Sequence, residues 1–96
     1  MVQDEAHMSL SRDEEIMIIL QEECAEVIQA LSKVRRFGMS AENHESLVKE
    51  LCDCQAMIDL MYEGGVVECS TEQRQQNVLQ KREKLKKYSN IFAESS

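Results

Sequence analysis

Two proline-free runs of apolar residues at helical spacing constrain this chain more than anything else in it. In the first, Ile16, Ile19, Leu20, Val27, Leu31 and Val34 return at intervals of three or four residues or their multiples. In the second, Leu47, Leu51, Cys54, Ile58 and Met61 do the same. The spacing predicts two long helices. Ser11 followed by Glu14 reads as a capping box at the start of the first, from about Arg12. Gly38 reads as its C-cap. The turn "MSAENHES" offers Ser40 or Asn43 as the next N-cap, and "EGG" at 63–65 stops the second helix. Ser70 with Gln73 suggests another capping box, opening a third helix that runs to about Tyr88. Its apolar side is thin: Val78, Leu79, Leu85 and Tyr88. Residues 1–10 and 93–96 read as flexible ends.

The expected fold is therefore all-α, a single domain over residues 1–96 made of a helical hairpin plus a third helix. Met17, Ile18, Val48 and Met57 add apolar surface outside the main stripes. Three helices cannot easily hide that much. A chain of 96 residues buries only about 60–65% of its unfolded surface. Homo-oligomerisation that completes a four-helix-bundle-like core is the natural remedy.

The charge is −7. That argues against nucleic acid and anionic membrane surfaces as partners. The opening "MVQDEAHMSL" lacks the basic and apolar regions of a secretion signal, and the longest apolar run, "IMIIL", is too short to cross a bilayer. A cytoplasmic location follows as the expectation. Cys24, Cys52, Cys54 and Cys69 are accordingly expected to be reduced, mostly small core residues. Cys52 and Cys54 lack the spacing of a zinc or redox pair. His7 and His44 have no matching partners and read as surface residues.

Carboxylates interrupt the stripes. Glu23 and Glu26 flank Leu20, Val27 and Ala30, with Glu22 one turn before Glu26. Glu50 and Asp53 flank Leu47, Leu51 and Cys54. In an antiparallel hairpin the two acidic groups can meet at a half-buried seam, where unneutralised charges cost several kcal/mol each. A hard divalent cation neutralises them, and carboxylate oxygens are the ligands that Mg²⁺ or Mn²⁺ prefers. The competing reading is a solvated acidic face, the usual meaning of such a pair taken alone. A di-iron bundle is disfavoured because neither histidine follows a Glu at Glu-x-x-His spacing.

"EECAEVIQALSKVRRFG" followed by "ENHESLVKELCDCQAMIDLM" resembles the MazG-like, all-α nucleoside triphosphate pyrophosphohydrolases over roughly residues 15–62. The family signature is EExxE, a spacer, then ExxD. Here it is matched by Glu22, Glu23 and Glu26, then Glu50 and Asp53. The resemblance implies that these five acids bind Mg²⁺, with Mn²⁺ a substitute, and that a nucleoside triphosphate is cleaved between its α and β phosphates. It also implies a homodimer or homotetramer. A carboxylate not saturated by metal would take the proton of the attacking water, with Glu22 or Glu23 as candidates. Lys33, two turns beyond Glu26, and Lys81 and Lys84 on the third helix are candidate phosphate contacts, set against a reading as solvated helix-surface lysines. The base is not legible; purine, and guanine among purines, is the slight lean. The alternative function is a non-enzymatic helical adaptor.

Overall fold

The computed structural model describes residues 10–93 and is all-helical there, with no strand. The expected flexible ends, and His7, lie almost wholly outside the described residues. Helix α1 spans Arg12–Phe37, α2 spans Ala41–Glu63 and α3 spans Thr71–Tyr88. Among the described residues, no helix is long and apolar enough to cross a membrane.

The ends of the helices follow local chemistry. Ser11 accepts from the Glu14 amide while Glu14 reaches back to the Ser11 backbone, so the capping box at α1 is complete. Asp13, Glu14 and Glu15 crowd the first turn and Arg35 and Arg36 the last, both favourable to the helix dipole. Gly38 ends α1 at φ 92°, a left-handed backbone angle that disfavours any side chain. Ser40, not Asn43, caps α2: its hydroxyl accepts from the Asn43 amide. The Asn43 side chain turns back to donate to the Gly38 carbonyl at 2.9 Å. Ser70 caps α3 by accepting from the Gln73 amide, but the Gln73 side chain donates to Asn77 rather than closing a capping box.

Three residues connect α1 to α2, so the two helices run antiparallel. Contacts along the seam confirm the register. Arg12 at the start of α1 donates to the carbonyl of Gly64 at the end of α2. Cys24 meets Cys54 midway, and Glu26 meets Glu50 nearer the turn. A side chain at Gly64 is disfavoured. A Cβ there would lie 2.7 Å from the Leu60 carbonyl oxygen and close to the side chains of Arg12 and Ile16.

The core is small. Among the described residues only Ile16, Ala30 and Leu47 are buried, all in the α1–α2 seam. The four cysteines depart from the expectation of core residues. Cys24 and Cys52 are exposed, and Cys54 and Cys69 are half-buried. All four are free thiols.

Helix α3 packs little on the hairpin. It is tethered where the Arg74 guanidinium lies over the Tyr62 ring, 4.4 Å from its centre. Val78 and Leu79 remain 57% and 59% exposed. The radius of gyration, 17.3 Å, exceeds the roughly 12–13 Å of a compact domain of this length. Among the described residues no four-helix core forms.

Candidate metal centre

At about 100° per residue, helix geometry sorts the side chains of the hairpin into a seam and two flanks. Glu23, Val27 and Ala30 of α1 face Leu47, Glu50 and Cys54 of α2 along the seam. Glu26, Gln29 and Lys33 fall on one flank with Ser46, Lys49 and Asp53. Met17, Cys24, Ile28 and Leu31 fall on the other with Leu51 and Ile58. Because the helices are antiparallel, each set lies on a single side of the hairpin.

The acidic flank holds a cleft of about 380 Å³ lined by Glu26, Gln29, Ala30, Lys33, Ser46, Lys49 and Glu50. At its inner edge Glu23, Glu26 and Glu50 converge, with one carboxylate oxygen from each lying within 4.8 Å of the others. The Glu50 side chain is only 15% exposed. Oε2 of Glu23 and Oε2 of Glu50 are both buried and have no hydrogen-bond partner. A buried acceptor without a donor carries a desolvation cost that a bound group could relieve.

The electrostatics reflect this crowding. A hydrogen bond shared with Glu26, then burial, then the Glu26 charge hold the Glu50 carboxyl above its ordinary range; Lys49 pulls against them and does not cancel them. Lys49 is committed to Asp53. It donates to Asp53 Oδ2 at 2.7 Å, one turn along the helix, and lies 3.8 Å from Glu50. That hydrogen bond, followed by the charges of Asp53 and Glu50, holds the Lys49 ammonium above its ordinary range. On the far side of the seam, burial pushes the Cys54 thiol up, with the Cys24 contact and the Glu23 charge adding to it.

Of the five acids singled out in the sequence, the fold brings together Glu23, Glu26 and Glu50. Asp53 lies one turn beyond, paired with Lys49, and Glu22 is exposed outside the cluster. Lys33 lines the cleft. Lys81 and Lys84 are exposed on α3 and do not line it. The lysine that sequence reasoning passed over is Lys49; its i,i+4 spacing to Asp53 was the available signal.

The donor set suits a hard cation. It is all carboxylate oxygen, partly buried, with two acceptors lacking any donor. The thiols sit on the seam and its opposite flank, outside this set. Comparison with protein-family models, with curated proteins and with solved structures finds no match to this chain.

Proposed function

We propose that this protein is a divalent-metal-dependent nucleoside triphosphate pyrophosphohydrolase, releasing a nucleoside monophosphate and pyrophosphate. The observation that carries the reading is the convergence of Glu23, Glu26 and Glu50 with two buried oxygens left without donors. The resemblance of the EExxE and ExxD segments to MazG-like enzymes supplies the reaction class. Glu23, Glu26 and Glu50 would hold Mg²⁺ or Mn²⁺, with Asp53 joining them if it exchanges Lys49 for the ion. Bound there, the ion would supply positive charge for the phosphates and lower the pKa of a bound water.

The chain's own groups do the rest. Lys33 and Lys49 present two ammonium groups at the rim of the cleft, where phosphate oxygens would lie. Glu22, exposed and outside the cluster, is the carboxylate free to accept the proton of the attacking water; Glu23 is the other candidate. The substrate class leans slightly to guanine and other purine nucleotides.

The same reading includes a homodimer or homotetramer. Ile28, Leu31 and Leu51 on the apolar flank are exposed, as are Val78 and Leu79 on α3. A second copy on the apolar flank leaves the acidic cleft open on the opposite side.

The test is a turnover panel over the common ribo- and deoxyribonucleoside triphosphates with Mg²⁺, then Mn²⁺. Pyrophosphate and monophosphate from one or two nucleotides is the expected result. No turnover with either ion, together with a melting temperature indifferent to Mg²⁺, would overturn it and leave an adaptor whose acids form a solvated face.

A further inference from the structure

The seam holds a second reactive cluster that the proposed hydrolysis does not use. Cys24 of α1 and Cys54 of α2 place their sulfur atoms 4.0 Å apart across the two helices. Both are free thiols, Cys24 exposed and Cys54 half-buried. Cys52 and Cys69 share no such contact among the described residues. Cys24 follows Glu23 directly, and Cys54 lies one turn beyond Glu50 on the same side of α2, so the pair sits at the level of the carboxylates.

We propose that Cys24 and Cys54 form a redox-active pair that closes to an intramolecular disulfide and staples α1 to α2 beside the acidic cluster. Closing the bond brings the sulfurs from 4.0 Å to about 2.05 Å. The oxidant is a low-molecular-weight disulfide of the glutathione type. Exposure assigns the roles. The Cys24 sulfur, as thiolate, attacks one sulfur of the oxidant, whose S–S bond breaks and releases one small thiol. The Cys54 sulfur, having lost its proton to water, then attacks Cys24 Sγ, and the second small thiol leaves. Two protein thiols are oxidised and one disulfide is reduced to two thiols, so protons and electrons balance.

The staple closes a loop that holds the turn at 38–40 and the inner halves of both helices. It removes freedom from the unfolded chain and fixes the separation of the helices next to Glu23. Assembly through the apolar flank would cover Cys24, so the reaction belongs to the free chain and is run on dilute protein.

The experiment equilibrates the full-length chain with glutathione and its disulfide over a series of ratios, quenches with an alkylating agent, and reads intact mass, peptide map and melting temperature. The expected oxidised product is a single chain lighter by two hydrogens. Cys24 and Cys54 lose alkylation together while Cys52 and Cys69 keep it, and the melting temperature rises. Cys54→Ser should stop at a glutathione adduct on Cys24. The wild-type map decides the matter even if that variant folds poorly. A persistent adduct on wild-type Cys24 overturns the proposal. So does a bridge between two chains, a bridge that includes Cys52 or Cys69, or an internal bridge that leaves the melting temperature unchanged. The mass readout does not depend on turnover, so failure of the hydrolase reading leaves this test intact.

Discussion

Glu50 carries the largest consequences of any single residue. Its carboxyl is held above the ordinary value of 4.5, first by the hydrogen bond to Glu26 and then by burial. A raised acid stabilises the fold below its unfolded pKa, and that contribution is lost as pH rises through the folded value. The metal-free protein should therefore melt at a lower temperature as pH climbs from about the ordinary glutamate range toward neutrality, a trend that a pH series of thermal melts reads directly. Added Mg²⁺ should flatten that slope, with its largest effect at the neutral end. Glu50→Gln removes the charge at nearly constant shape. It should raise the metal-free melting temperature at neutral pH, erase the Mg²⁺-induced rise and abolish turnover; a variant that still melts higher with Mg²⁺ would count against the cluster as the metal site. How far the sequence reached here depends on the residue. Glu23, Glu26 and Glu50 were legible as candidates because acids beside the stripes of antiparallel helices can meet; which of the five do so depends on the register. The diversion of Asp53 was not drawn from the sequence, although Lys49 stands one turn before it. Lys81 and Lys84 were placed by resemblance alone, and the stand-off of α3 leaves them off the cleft.

At the scale of elements, the hairpin depends on the close approach of α1 and α2 at its open end. Gly64→Ala would put a methyl group 2.7 Å from the Leu60 carbonyl oxygen, so the last turn of α2 must shift locally, beside Arg12 and Ile16 at ordinary contact distance. A loss of about 1–3 kcal/mol in urea unfolding is expected, with turnover retained where the protein is folded. Helix α3 should behave differently. With Val78 and Leu79 exposed and one stacking contact to α2, its amides should exchange with solvent faster than those of α1 and α2 in dilute protein. Equal protection across the three helices would contradict that. The three helices and their serine caps were legible because apolar period and capping chemistry are local. The placement of α3 was not. A helix whose apolar face is only Val78, Leu79, Leu85 and Tyr88 specifies no partner surface, and the Gln73 side chain went to Asn77 instead of the cap. The cysteines illustrate the same limit: their spacing along each helix was visible, and the meeting of Cys24 with Cys54 depended on the register between helices.

For the whole molecule, the described residues bury only Ile16, Ala30 and Leu47, so under the proposed assembly association would supply much of the stability. The melting temperature should rise with protein concentration, which a dilution series of melts would show. Leu31→Glu, on the exposed apolar flank, should shift the sedimentation coefficient to that of a monomer and lower the melting temperature. If that variant sediments like the parent, the flank is not the interface. The turn at Gly38–Ser40 has a further consequence, one of time. Among the described residues nearly all tertiary pairing belongs to one hairpin, so each contact outward from that turn closes a loop only slightly longer than the last. Zipping of this kind is fast, and its order is set by distance from the turn: Glu26 with Glu50, then Cys24 with Cys54, then Arg12 with Gly64. Under the proposed assembly, the slow event in acquiring the native state would then be the encounter between finished hairpins, whose rate rises with the concentration of chains.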